Sequence, residues 1–141
     1  MNIVVTPGFM LDADLWTDTH VALEEIGPVM CADFSQGTSI EAFADQLLED
    51  ALPGPFLLVG FSMGGYVARE VVRRAPDRVP ALIMCGTSAR GDGALQARRQ
   101  ASAGAKSAKA FTGLSHRAIL RAFADDDADP ALVERVRQMG D

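Results

Sequence analysis

Five consecutive residues, Gly60-Phe61-Ser62-Met63-Gly64, carry the strongest chemical signal in this chain. A serine in such a setting serves as a nucleophile when it stands at the tip of a very sharp strand-to-helix turn, in a strained backbone conformation. Gly60 and Gly64, two positions before and two after, remove side chains that would collide where strand and helix nearly touch. The turn also aims the Met63 N–H, at the start of the following helix, toward an oxyanion developing on a substrate carbonyl. By itself the pattern is weak in a chain with 13 glycines, so its surroundings must support it.

They do. Phe56-Leu57-Leu58-Val59 is apolar throughout and reads as a central strand covered on both faces. After the serine, Val67, Val71, Val72 and Ala75 face inward on a helix whose other side carries Arg69, Glu70, Arg73 and Arg74. Pro76-Asp77 ends that helix, and Val79 to Cys85 reads as another buried strand. Upstream, Ile3-Val4-Val5 is a strand that enters a turn at Pro7-Gly8. A helix capped by Asp14 or a neighbour runs through Trp16 to about Ile26, and Gly27-Pro28 closes it. Val29 to Ala32 is a short strand. Thr38 and Glu41 form a capping box for a helix with Ile40, Phe43, Ala44, Leu47, Leu48 and Ala51 on one stripe. Strands separated by single helices predict a parallel sheet with right-handed crossovers, an α/β fold.

The character changes after Gly86. From Arg90 onward no strand signal recurs, and two short helical patterns follow Ala-, Gly- and Ser-rich sequence. One contains Ile119, Leu120 and Phe123; the other contains Leu132, Val133 and Val136 after an Asp129-Pro130 start. The predicted organisation is a sheet-forming core over residues 1–89 and a helical segment over residues 90–141 that reads as an insertion over a sheet edge.

The bulk properties narrow the function classes. A net charge of -6 argues against nucleic acid, which needs clustered Lys and Arg. No apolar run approaches the roughly 20 residues of a membrane span, and the N-terminus lacks the positive region of a signal peptide. The two cysteines, Cys31 and Cys85, fall in apolar strand runs and read as buried free thiols of a reducing compartment, so a cytoplasmic location is expected. No cofactor or metal is called for, and no pattern sets an oligomeric state.

Taken together, these motifs resemble the α/β-hydrolase superfamily, from the first residue through at least Thr87. Val5-Thr6-Pro7-Gly8-Phe9 resembles the family's strand-then-glycine oxyanion turn, with Pro7 where His is common. The resemblance implies that Phe9 supplies a second oxyanion N–H beside that of Met63, and that Trp16 is a packing residue. Gly64-Gly65-x-x-Ala68, Pro76-x-Arg78-Val79-x-x-Leu82 and Thr87 resemble the stretch that follows the nucleophile. It implies a three-layer core built on a parallel sheet, present here in part. The implied activity is a serine-dependent hydrolase that passes small esters or related acyl substrates through an acyl-enzyme at Ser62.

A serine needs a base, and the base an orienting acid; in this family both follow later strands, in the order Ser, acid, His. His20 precedes the serine on a covering helix, and His116, beside Ser115, opens a helix of the 90–141 segment, which the resemblance makes the lid that shapes the substrate pocket. Asp92 follows the last strand only loosely. The chain therefore reads as the N-terminal part of the enzyme, with acid and histidine supplied elsewhere and little activity of its own. A non-catalytic fold remnant or binding module, and a lyase or acyltransferase on the same fold, are the alternatives. Three other patterns fail on inspection. Ser62 occupies the position where a dinucleotide loop needs its second glycine. The run Asp125, Asp127, Asp129 has Pro130 where a calcium loop has glycine. Gly104-Ala105-Lys106-Ser107 lacks the glycine that directly precedes the lysine of a phosphate loop.

Overall fold

Two parallel strands, β1 (Asn2–Thr6) and β3 (Phe56–Phe61), form the centre of the sheet, with Val5 opposite Val59 and Thr6 opposite Gly60. β2 (Val29–Cys31) flanks β1 and β4 (Ala81–Cys85) flanks β3, both parallel, giving the order β2-β1-β3-β4. The computed structural model describes residues 1–88, 113–123 and 128–140. The chain divides into two compact units, Met1–Ser88 and Ala89–Asp141.

Alternation along the central strands loads both faces of the sheet. Val4, Phe56 and Leu58 point to one side, where Phe43, Ala44 and Leu47 of α2 (Ile40–Asp50) and Val67, Ala68 and Val71 of α3 (Met63–Arg74) complete a buried cluster. Ile3, Val5 and Val59 point to the other, against Trp16, Leu23 and Val29. α1 (Thr17–Glu24) lies on this second side, so the unit has the layered α/β architecture that the strand–helix alternation predicts. Trp16 is a packing residue here, half-buried against that cluster.

Several boundaries differ from expectation for local reasons. The helix predicted through Trp16 splits into a 3-10 turn, Ala13–Trp16, followed by α1. Asp12 caps the turn by accepting the Asp14 N–H at 2.9 Å. α1 buries none of its residues, because Thr17-Asp18-Thr19-His20 offers no apolar stripe. α2 is capped by Ser39, not Thr38. The extended Ser39 accepts the Ala42 N–H at 3.1 Å, which puts Glu41 one position too early to close the box. β2 ends at Cys31, although the Ala32 N–H still reaches Val5 O at 2.9 Å.

β4 is shorter and more exposed than the buried strand read from Val79 to Cys85. Pro76–Arg78 forms a 3-10 turn, so the strand starts at Ala81. Among the described residues it is an edge strand, and Ile83 is 55% exposed. Its apolarity suits a covered strand, yet among the described strands only β3 pairs with it. The cysteines are free and half-buried, not fully buried, because both lie on outer strands, Cys31 in β2 and Cys85 in β4.

Within the second unit, α4 (His116–Leu120) and α5 (Pro130–Met139) contact one another. Ser115 caps α4 through the Ala118 N–H, and Asp129 caps α5 through the Ala131 N–H. Ile119 and Val133 are the buried members of the two apolar patterns. Asp92, Gly104 to Ser107, Asp125 and Asp127 lie outside the described residues.

Candidate active site

Ser62 joins the last residue of β3 to the first residue of α3 with φ 52 and ψ -117. Non-glycine residues avoid that region, so the conformation persists only where the surroundings over-determine it. The restraints on both sides are visible. The Ser62 N–H donates to Cys85 O at 3.0 Å, tying the elbow to the end of β4, and the Gly65 N–H donates to Ser62 O at 3.0 Å. Serine heading a helix ordinarily turns its oxygen onto an N–H of the first turn. Ser62 makes no such side-chain cap, so its hydroxyl is not spent on the helix.

The neighbouring glycines are required by close approach. A Cβ on Gly60 would lie 2.7 Å from Gly65 Cα, and one on Gly64 would lie 2.5 Å from Pro7 O and 2.6 Å from Thr6 O. Both obstacles are backbone, which cannot swing aside. The second of these contacts brings the end of β1 directly onto the start of α3, across more than fifty residues of sequence. Gly8 continues that approach, lying close to Ser62 itself.

Met63 follows the serine in the chain, and Phe9 follows Gly8, on which a Cβ would lie 3.3 Å from Ser62 Cβ. Met63 is the first residue of α3, half-buried, so its N–H belongs to the helix N-terminus, where backbone dipoles favour negative charge. Phe9 follows Gly8 in a turn closed by the Leu11 N–H to Gly8 O at 3.2 Å, with Met10 at φ 60. Its side chain is 55% exposed.

Two residues of the matched motifs have structural roles that the sequence alone does not give. Thr6 is fully buried at the end of β1, and its Oγ1 lies 3.0 Å from Gly64 O and 3.1 Å from Val59 O. A polar residue closing the run Ile3-Val4-Val5 is the signal that could have found it. Thr87 packs against Gly65, so closely that a Cβ there would meet its Oγ1 at 2.5 Å. Its hydroxyl is buried with no partner among the described residues, as is the Trp16 Nε1.

Other reactive groups are occupied or subdued. His20 Nε2 lies 3.2 Å from Glu24 on its own helix. His116 belongs to the second unit, as the first residue of α4. Burial pushes the Cys31 thiol up to about 11, with Asp12 and Asp33 adding to the effect, so it is protonated at neutral pH and no rival to the serine. No cluster of metal-ligating side chains occurs among the described residues.

Comparison with known proteins gives this geometry its relatives. A family model described as the alpha/beta hydrolase family matches residues 3–141. The chain belongs to that family. Over 54 residues the chain is 41% identical to a pimeloyl-[acyl-carrier protein] methyl ester esterase from Aromatoleum aromaticum, a stretch covering 38% of this chain and 21% of that enzyme. Its fold is similar to a thermophilic esterase from Thermogutta terrifontis, solved with malate bound (TM-score 0.81, 24% identity, 99% of this chain, 57% of that one). An extracellular alpha/beta-hydrolase from a Paenibacillus species is also similar (TM-score 0.73, 19% identity, 100% of this chain, 66% of that one). So is a hydrolase from Pseudomonas aeruginosa (TM-score 0.75, 22% identity, 99% of this chain, 57% of that one). The chain thus spans less than two thirds of the length of each. Among the described residues no helix of the chain is long and apolar enough to cross a membrane.

Proposed function

We propose that this chain carries the nucleophile and the oxyanion site of a serine-dependent esterase acting on small acyl esters in the cytoplasm. The observation that carries the reading is Ser62 itself: a strained serine heading α3 with its hydroxyl withheld from the helix cap. Such strain has a cost, and a site that must project a nucleophile accounts for it.

In this reading Ser62 Oγ attacks the ester carbonyl carbon while a base takes its proton. The carbonyl oxygen gathers the negative charge, and the N–H groups of Met63 and Phe9 stabilise it. Collapse expels the alcohol, which takes the proton back from the base and leaves an acyl-enzyme; water then repeats the sequence on that acyl group. The base is a histidine oriented by a carboxylate. We place both in the part of the relatives' length that this chain does not span. The family and the ester-cleaving relative support the reaction class.

The test is labelling of the complete protein with a fluorophosphonate, followed by peptide mapping and esterase assay. An adduct on Ser62, and loss of activity in Ser62→Ala, are expected. A label elsewhere, or full activity in Ser62→Ala, defeats the proposal.

A further inference from the structure

We infer that Thr6 is a positioning residue for the nucleophile, acting through its hydroxyl on the elbow rather than on substrate. The inference rests on the esterase reading above for its effect on rate, and on geometry alone for its effect on the turn. Thr6 is the last residue of β1 and is fully buried. Its Oγ1 faces two backbone carbonyls, Val59 O at 3.1 Å and Gly64 O at 3.0 Å. One belongs to β3 three residues before Ser62; the other belongs to α3 two residues after it. A single hydroxyl therefore spans the elbow from the strand side to the helix side.

The hydroxyl has one proton to donate and two acceptors in reach, so it serves one carbonyl at a time or shares between them. Donation to Gly64 O ties the first turn of α3 to the end of β1, which is itself paired with β3, and donation to Val59 O ties β1 to β3 just before the elbow. The other restraints on Ser62 that the structure shows, its N–H to Cys85 O and its carbonyl from the Gly65 N–H, are made by main-chain atoms. Thr6 adds a side-chain tie across the same turn. Valine has the same shape and an equal preference for strands, and the rest of the run is Ile3-Val4-Val5. A buried hydroxyl in its place is explained by the carbonyls it holds, since an unpaired one would only destabilise.

Without the hydroxyl, the turn can relax away from φ 52, and the Met63 N–H and Ser62 Oγ drift from their shared target. Effects of that kind fall on the reaction of bound reagent, because the reagent's own contacts are unaltered. The experiment uses the complete protein and three forms: wild type, Thr6→Val and Thr6→Ser. Saturation kinetics of fluorophosphonate inactivation separate the maximal rate from half-saturation. Thr6→Val is expected to lower the maximal rate at least tenfold with half-saturation within about twofold, and Thr6→Ser to restore the rate to within about threefold. Hydrogen exchange of the amides from Met63 to Ala68 is measured in parallel. It is expected to accelerate in Thr6→Val and to stay protected in Thr6→Ser.

A wild-type maximal rate in Thr6→Val overturns the inference, as does equal loss in Thr6→Ser. Should wild type take no label on Ser62, the esterase reading fails separately, and the exchange data alone decide whether Thr6 holds the turn. Unchanged exchange in Thr6→Val then overturns the inference. If Thr6→Val does not fold, Thr6→Ala takes its place in both measurements.

Discussion

Gly8 lies against Ser62: a Cβ on Gly8 would come 3.3 Å from the serine Cβ, with Leu11 Cδ1 at 3.1 Å and Phe61 Cδ1 at 3.2 Å. Leu11 Cδ1 and Phe61 Cδ1 are side-chain atoms that can give by a few tenths of an ångström, whereas Ser62 Cβ is fixed to the elbow and takes the crowding; around Gly60 and Gly64 the obstacles are backbone. Gly8→Ala should therefore fold and crowd the nucleophile. Labelling of Ser62 is expected to slow by about 10- to 100-fold with the unfolding midpoint little changed. An alanine variant that labels at the wild-type rate would show that Gly8 has no bearing on the serine.

Arg78 joins the end of α2 to the strand that carries the elbow. Its guanidinium donates to Leu52 O at 2.7 Å, Gly54 O at 3.2 Å and Leu48 O at 3.3 Å, and its Cζ sits 5.1 Å from the Phe56 ring centroid. The planar fork reaches three carbonyls and an aromatic face together, which an ammonium cannot. Arg78→Ala is expected to cost about 2 kcal/mol in denaturant unfolding, and Arg78→Lys to recover less than half of that. Full recovery by lysine would reduce the role to charge.

Thr87 offers the opposite case. Its Oγ1 is buried beside Gly65 with no partner among the described residues, so the hydroxyl is desolvated without return. Thr87→Val keeps the shape and removes the polar atom. Stability should stay level or rise by up to about 1 kcal/mol. A loss larger than that, measured by thermal or denaturant unfolding, would mean that the hydroxyl has a partner.

Glu70 gives the fold an acid sensitivity with a defined sign. Hydrogen bonds from Arg73 and Arg74 hold its carboxyl down at about 2, below the ordinary 4.5, and Arg74 continues to Asp45 on α2. A carboxylate whose folded pKa is depressed contributes stability above its unfolded pKa. That contribution is lost as the pH falls from about 4.5 toward 2. Glu70→Gln should flatten this limb of the stability–pH curve and leave stability above it independent of pH in this respect. Arg73 is exposed, so added salt should weaken its share of the difference.

The strands, the helix after Ser62 and the requirement for glycine on either side of it are legible in the chain because their signals are local. A run such as Phe56-Leu57-Leu58-Val59 contains its own instruction to be covered on both faces, and family membership follows from several such runs in order. The cap of α2 was readable to within one residue. Thr38 and Ser39 are both competent, and the choice of Ser39 follows from where the extended chain turns into α2. The exposure of β4 was not readable from its composition, because that depends on which elements lie beside it.

Sequence alone determined that a serine would stand between a buried strand and an amphipathic helix. Only the tertiary structure decided what holds it there. Thr6 and Pro7 reach Gly64, Cys85 reaches the Ser62 N–H, and Thr87 abuts Gly65, each from a segment distant along the chain. The physical reason is that a strained turn carries no stabilisation of its own. Its restraints come from atoms that parallel pairing of β1, β3 and β4 delivers to one end of the sheet, and no local pattern in the chain encodes that meeting.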